Sequence, residues 1–200
     1  MNARAYSTID RFLKVVAGSE LKGKLLDIGS GDGSFVAYAK ERGIAARGVD
    51  LGDGVNFECD ALRFESSAFD IATMFSVIEH LRDPANILKE ARRVLRKDGA
   101  LLIITPNLDT TKFRFWDDPT HVHAYNPRSL RRLMEMSGFE TISIGLWTVG
   151  KTSLLWKLSP ALQFLIGTLL PFAGLNRYAP SFLKGRSTTM LCAFRARSQL

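Results

Sequence analysis

The stretch LLDIGSGDGSF, residues 25–35, combines a carboxylate with three glycines at alternate positions. Asp27 closes an apolar run, and Gly29, Gly31 and Gly33 follow it. Glycines between a strand and a helix let main-chain N–H groups approach a ligand closely, because no side chain stands in the way. A carboxylate at this point would repel a pyrophosphate and favours a cation. The stretch therefore predicts a turn that binds a small, positively charged molecule.

The spacing of the glycines argues against two phosphate-binding turns. A dinucleotide-binding turn has the pattern GxGxxG, whose third glycine would fall where Ser34 stands. A P-loop needs a Gly-Lys-Ser/Thr sequence, and none follows this turn. The pattern present is GxGxG, with Asp27 two positions ahead of it.

Short apolar runs alternate with helical patterns over the first 140 residues, which is typical of βα units and a mostly parallel sheet. The predicted strands are 24–28, 46–49, 55–59, 69–77, 100–106, 139–149 and 187–197. The predicted helices are 34–42, a segment between Asp83 and Gly99, and a segment between Asn126 and Gly138. The sequence therefore predicts an α/β fold with a seven-stranded, Rossmann-like sheet and helices on both faces.

The length of 200 residues predicts one domain, residues 1–200. Cys59 and Cys192 are too few and too far apart for a disulfide scaffold or a CxxC zinc site, which suits a reducing compartment. The first twenty residues lack the apolar core and cleavage site of a secretory signal. We therefore predict a cytoplasmic protein.

The net charge of +7 is concentrated at one end of the chain. Residues 141–200 contain seven cations and no acid, while residues 1–140 contain equal numbers of each. This asymmetry predicts an anionic partner, either a membrane surface or a nucleic acid.

Five motifs together resemble those of class I S-adenosylmethionine-dependent methyltransferases. They are LLDIGSGDGSF, GVDL, CDAL, FDIATMFSVIEHL and VLRKDGALLIITPN, and they occur in the family's order over residues 25–107. The chain is thus identified as a member, similar to methyltransferase type 11 and to ubiquinone methyltransferases. The resemblance implies S-adenosylmethionine as cofactor, whose sulfonium charge matches the predicted cationic ligand.

The resemblance also implies which residues hold the cofactor. Asp50 would bind the ribose hydroxyls, Asp60 the adenine amino group, and Phe75 would line the pocket. The complete implied set is Asp27, Gly29, Ser30, Gly31, Gly33, Asp50, Leu51, Asp60, Ala61, Phe75 and Ser76.

A polar loop, residues 106–125, is longer than a simple connection requires, and long loops are often functional. It carries two histidines, and a histidine can take the proton of an acceptor hydroxyl. We predict His121 as the catalytic base and His123 as the second candidate. The alternative is that both rings only bind the backbone of the loop.

Some related O-methyltransferases bind a divalent ion through an ExxEH motif and a later histidine. Glu79, His80 and His121 match part of this pattern, but Ser76 replaces the first glutamate. We therefore predict no metal site, and we expect His80 to pack beside the cofactor.

Residues 150–186 form an apolar, basic insertion before the last predicted strand. Pro160 and Pro171 bracket about ten residues, too few for a membrane-spanning helix. Lysine and arginine together with tryptophan and tyrosine are typical of an element that lies in a membrane interface. We predict a helical insertion with peripheral contact at the inner face of the membrane. A lid over the substrate cleft and an oligomer interface are alternatives.

These observations predict methylation of an oxygen on a small or lipid-linked acceptor, either a saccharide or a quinone-like molecule, at a membrane surface. A catalytically silent protein that binds S-adenosylmethionine is one alternative. An RNA methyltransferase is another, but SVIEHL stands where an NPPY-type base-flipping tetrad would be, so a nucleic acid is not favoured.

Overall fold

The computed structural model describes residues 3–18, 20–146, 157–158, 162, 165–166, 172–173, 184–186 and 189–197. Most of the predicted insertion, residues 150–186, lies outside these ranges. Within them, no helix combines the length and the hydropathy needed to cross a bilayer.

A six-stranded sheet forms the centre of the fold. Its strands are β1 (Lys24–Ile28), β2 (Ala45–Val49), β3 (Phe69–Phe75), β4 (Leu95–Pro106), β5 (Phe139–Leu146) and β8 (Thr189–Ala196). They lie in the order β2-β1-β3-β4-β8-β5. Strands β2, β1, β3 and β4 are parallel, and β8 runs antiparallel to both of its neighbours. This is the predicted α/β class with a mostly parallel sheet.

Helices pack on both faces of the sheet, as the sequence predicts. They are α1 (Ala3–Ala17), α2 (Ser34–Lys40), α3 (Ala85–Val94) and α5 (Pro127–Met136), while the short α4 (Leu108–Thr111) lies in the polar loop and has no buried residue. Three short 3-10 segments, Leu51–Asp53, Ile78–His80 and Lys112–Asp117, follow strand ends or lie in the polar loop. One apolar cluster lies under α3 and α5, and a second under α1 and α2.

Strand β4 separates these two clusters and is buried on both sides. Leu101 and Ile103 belong to the first cluster, while Leu102 and Ile104 belong to the second. Because a strand covered on both faces needs apolar residues, the continuous apolar run predicts residues 100–106 correctly. The strand begins earlier, at Leu95, where the prediction has the end of a helix, and its first residues include exposed Arg96, Lys97 and Asp98.

The prediction of a strand at 55–59 is wrong, and this accounts for the missing seventh strand among the described residues. Val55 and Phe57 are buried, as an alternating strand would require. However, the main-chain carbonyl of Asn56 accepts from both Cys59 and Asp60, and the Asn56 side chain accepts from the amide of Glu58. Local hydrogen bonds of this kind compete with strand pairing, so the segment forms a turn.

The N-terminal helix α1 was not predicted. Its buried residues Tyr6, Ile9, Phe12 and Leu13 follow helical spacing and belong to the second apolar cluster. Within the insertion, strand β6 (Phe172–Ala173) pairs in parallel with β7 (Lys184–Arg186). The described part of the insertion thus includes a strand pair, where the prediction has only helix.

Two side chains of α3 fasten the segment that follows the turn. Glu90 accepts a hydrogen bond from the amide of Leu62 at 2.8 Å, and the Arg93 guanidinium donates to the carbonyls of Leu62 and Phe64. Arg93 also binds Glu90 at 2.7 Å, and this bond lowers the pKa of the Glu90 carboxyl. Side chains of α3 therefore satisfy main-chain groups of Leu62 and Phe64, which belong to no strand.

We expect Glu90→Gln to lower the free energy of unfolding by about 2 kcal/mol at pH 7, because hydrogen bonds to the charged carboxylate are lost. Because folding lowers the pKa of Glu90, its contribution to stability is complete above the pKa of Glu90 in the unfolded chain. The contribution is lost as the pH falls through the pKa of Glu90 in the folded protein. Urea titrations at pH 7 and at pH 3 measure both effects. Glu135→Gln, at an exposed position of α5, is the matched control, and an equal loss in the two variants would contradict the prediction.

Candidate active site

The glycine turn leaves β1 at the carboxyl end of the sheet. Gly29, Gly31 and Gly33 have φ values of +78°, +53° and +71°, where other residues are strained. A side chain at Gly29 would collide with Val77, whereas one at Gly31 or Gly33 would meet no atom within 4 Å. The turn therefore presents open space beside its main chain, which is what a bound ligand needs.

Asp50 ties the glycine turn to the end of β2. The amide of Gly31 donates to Asp50 Oδ2 at 2.8 Å, and the amides of Gly29 and Ser30 donate to the carbonyl of Val49. The amide of Asp50 itself donates to Asp53, which closes the 3-10 turn behind it. The carboxylate of Asp50 thus lies beside the glycines, as the motif predicts.

Asp27 lies beneath the turn and is only 2% exposed. The Thr73 hydroxyl donates to Asp27 Oδ1 at 2.6 Å across the β1–β3 pair. Burial raises the pKa of the Asp27 carboxyl from 3.8 to about 7, although the bond from Thr73 opposes this change. A nearby cation would stabilise the ionised carboxyl, so this position suits a sulfonium compound.

Asp60 and Ala61 follow the turn that replaces the seventh strand, and both are exposed. Asp60 Oδ2 accepts from the amide of Asn56, and the Asp60 carbonyl accepts from Asn86 Nδ2 at 2.9 Å. Leu51, directly after Asp50, is 60% exposed. These side chains remain accessible to an adenosine, but a turn and not a strand positions two of them.

Phe75 and Ser76 stand at the end of β3. The Phe75 ring contacts the Phe35 ring edge to face, with 5.0 Å between centroids. Ser76 is exposed and has a φ of +54°, and its amide donates to the carbonyl of Ile104. The strained turn at Ser76 directs the chain away from the sheet and towards Glu79.

The polar loop is fastened to the segment after β3. The Glu79 carbonyl accepts from the amides of both Val122 and His123. Nδ1 of His80 lies 3.2 Å from the Thr120 carbonyl, and Nδ1 of His123 lies 3.1 Å from the Leu81 carbonyl. These contacts bring His121 and His123 to the same edge of the sheet as the glycine turn.

Each of the three histidines places Nδ1 against a main-chain carbonyl, and for His121 the partner is Phe115 at 2.8 Å. A carbonyl only accepts, so Nδ1 carries the proton and a neutral ring keeps its lone pair on Nε2. The His121 ring also stacks on Phe115, with 4.5 Å between centroids. The rings do bind loop backbone, as the alternative interpretation expects, yet each keeps one nitrogen able to take a proton.

In the sequence, Glu79 belongs only to an incomplete match of a metal-binding motif, and the structure gives it a different importance. It is fully buried, and burial raises the pKa of its carboxyl. One of its oxygens, one nitrogen of His80 and one nitrogen of His121 lie within 4.8 Å of one another. The signal in the sequence was the Glu-His pair directly after β3, but its burial depends on the fold.

These elements define an α/β protein of the class I methyltransferase fold, with a glycine turn that has free space beside Gly31 and Gly33, and with an acid at the end of β2 that binds this turn. Residues 1–144 match the model of a family described as a methyltransferase domain. The chain belongs to this family of S-adenosylmethionine-dependent methyltransferases, and S-adenosylmethionine is its cofactor.

Relatives of known sequence and structure agree with this family. A ubiquinone biosynthesis O-methyltransferase of Pseudomonas fluorescens is 26% identical over 111 residues, which are 46% of this chain and 48% of that protein. The chain thus aligns with about half the length of this curated relative.

Solved structures show the same fold at low sequence identity. An S-adenosylmethionine-dependent methyltransferase from Mesorhizobium loti has a TM-score of 0.66 at 15% identity, covering 97% of this chain and 98% of that one. Phosphoethanolamine N-methyltransferase 2 of Haemonchus contortus, in complex with S-adenosylmethionine, has a TM-score of 0.59 at 17% identity. The match covers 96% of this chain and 53% of that one.

We expect Asp50→Asn to weaken S-adenosylmethionine binding about tenfold to hundredfold, because a carboxylate forms stronger hydrogen bonds than an amide. The variant keeps an oxygen that can accept from Gly31, so the turn itself should survive. Isothermal titration calorimetry measures the affinity. Asp98→Asn, at the opposite end of the sheet, is the control, and unchanged affinity in Asp50→Asn would count against the placement of the ribose.

We expect cofactor binding at pH 6 to release close to one proton from Asp27. With a pKa of about 7, this carboxyl is mostly protonated in the free protein, and a bound cation would ionise it. Calorimetry in buffers with different ionisation enthalpies measures the proton count, and Asp27→Asn should release correspondingly less.

The raised pKa of Asp27 also affects the stability of the protein without cofactor. The protonated carboxyl contributes stability that is complete below the pKa of Asp27 in the unfolded chain and is lost as the pH rises through about 7. Asp27→Asn should therefore gain stability relative to the native chain between pH 4 and pH 8. A constant difference over that range would show that Asp27 does not titrate as proposed.

Proposed function

We propose that this protein transfers a methyl group from S-adenosylmethionine to a hydroxyl oxygen of a small or lipid-linked acceptor, either a saccharide or a quinone-like molecule. The observation that carries this proposal is the placement of the His121 ring at the carboxyl edge of the sheet. Its Nδ1 lies 2.8 Å from the Phe115 carbonyl, which leaves Nε2 as the nitrogen that can accept a proton. A hydroxyl must lose its proton as it is methylated, and this nitrogen can accept it.

S-adenosylmethionine supplies an electrophilic methyl group when it is bound. The residues of this chain hold the reactants close together, a contribution worth up to ~7–11 kcal/mol in displacement reactions. Asp27, Gly29, Ser30, Gly31, Gly33 and Asp50 would hold the amino-acid and ribose parts, and Leu51, Asp60, Ala61, Phe75 and Ser76 the adenine side and the sulfonium. His121 would take the acceptor proton, with His123 as the second candidate.

Two exposed aromatic rings support an acceptor with an apolar portion. Phe113 is 88% exposed and Trp116 is 55% exposed, and both lie on the 3-10 helix that carries Phe115. Phe115 stacks on His121 and contacts Trp116 edge to face, with 4.9 Å between centroids, so the Trp116 ring lies near the base. The P. fluorescens relative is named for ubiquinone biosynthesis, in agreement with a quinone-like acceptor.

A membrane contact through residues 150–186 is part of the same proposal. The cations and apolar residues of this insertion support it.

Strand β8 follows the insertion and pairs between β4 and β5, which supports a single domain over residues 1–200.

We expect the purified protein to transfer radiolabelled methyl from S-adenosylmethionine into the lipid or glycan pool of a fractionated extract, and not into RNA. His121→Gln should lower this transfer by about 10²–10⁴ because the base is lost, while His123→Gln should lower it less. Asp50→Ala is the control for cofactor binding. Label in RNA alone, or equal transfer by His121→Gln, would contradict the proposed function.

A further inference from the structure

The carboxylate of Glu79 is the buried group that the proposed reaction does not yet use. Its Oε2 accepts a hydrogen bond from the Thr105 hydroxyl at 2.9 Å. Its Oε1 is fully enclosed and has no hydrogen-bond partner among the described residues. An unpaired buried oxygen is costly, and one in a native structure requires an explanation.

We propose that Glu79 is the positioning carboxylate of the catalytic base, and that it stabilises His121 in its protonated form during methyl transfer. This inference rests on the proposed O-methylation. One oxygen of Glu79 and one nitrogen each of His80 and His121 lie within 4.8 Å of one another, and the two rings are 4.9 Å apart. A charged imidazolium in this place finds a carboxylate that is shielded from water, where an opposite charge is most effective.

The proton and electron balance of the step is simple. The acceptor oxygen gives its proton to His121 Nε2 as the new oxygen–carbon bond forms and the carbon–sulfur bond breaks, and the sulfur keeps the bonding electrons. The positive charge of the sulfonium is thereby replaced by one on the imidazole ring. Glu79 meets this new charge without moving, because Thr105 and the burial of its side chain hold it in place.

Three ionisable groups lie close to His121, and a fourth lies close to Glu79. Glu79 and His80 face His121 from the 3-10 helix Ile78–His80. Burial raises the pKa of the Tyr125 phenol, and the nearby charge of Glu79 raises it further. Asp118, on the loop of His121 itself, has Oδ2 3.8 Å from His121 Nε2.

The two carboxylates near His121 differ in environment. The Asp118 side chain is 49% exposed and its Oδ1 is occupied by the Thr120 hydroxyl at 2.6 Å. A charge exposed to water is screened and contributes little. Glu79 is buried and has a free oxygen, so it is the stronger partner for an imidazolium.

The test compares Glu79→Gln with Asp118→Asn, each of which removes a charge and keeps the shape of the side chain. We expect Glu79→Gln to lower kcat about a hundredfold and to leave the affinity for S-adenosylmethionine unchanged, while Asp118→Asn changes kcat less than threefold. The pH at which kcat is half-maximal should fall by about one unit in Glu79→Gln, because the buried carboxylate no longer favours the protonated ring. Glu79→Asp, which restores the charge, should recover part of kcat.

Three outcomes with the wild-type protein and Glu79→Gln overturn the inference. They are native-like kcat in Glu79→Gln, an unchanged pH profile in that variant, and wild-type activity that is abolished by EDTA and restored by Mg²⁺. Absence of transfer by the wild-type protein would instead contradict the proposed function. If Glu79→Gln does not fold, Thr105→Val tests the same orientation, and an unchanged kcat there also overturns the inference.

Discussion

The main-chain carbonyl of Glu79 joins the two halves of the candidate active site. It accepts hydrogen bonds from the amides of Val122 and His123, and so holds the polar loop against the end of β3. Each such bond contributes about 1 kcal/mol to stability, but together they fix a loop that would otherwise have many conformations. The placement of His121 beside His80 depends on this attachment.

Two buried carboxyl groups lie at the carboxyl end of the sheet, one on the cofactor side and one on the side of the polar loop. Burial excludes water from both and raises their pKa values above those of ordinary carboxyl groups. Asp27 lies under the glycine turn with Thr73, and Glu79 lies under the polar loop with Thr105. Each threonine orients its carboxylate with one hydrogen bond. The site thus places one buried acid on the cofactor side, where a cation would bind, and another on the acceptor side, where a positive charge would form. This arrangement follows the movement of charge in the proposed reaction.

Much of the fold could be predicted from local patterns. The apolar run of β4 and the Asn126-Pro127 start of α5 are local signals, and Asn126 does cap its helix by accepting from Arg128 and Ser129. The errors occurred where a local pattern allowed two structures. Residues 55–59 have the alternation of a strand, but Asn56 and Asp60 satisfy the backbone as a turn. Helix α1 has apolar residues at helical spacing, and its role became evident only from the second apolar cluster that it covers.

The sequence by itself determined the fold class, the order of the motifs and the glycine turn with its acids, because these depend on residues close together in the chain. The tertiary structure decided which acids are buried, which histidine nitrogens keep a lone pair, and that Glu79 lies against His121. Those properties arise from contacts between β1 and β3, such as Thr73 with Asp27, and between the segment after β3 and the polar loop, such as His80 with Thr120; these pairs are 46 and 40 residues apart in sequence. A local pattern contains no information on how much water such contacts exclude, and the exclusion of water is what changes the acidity of Asp27 and Glu79.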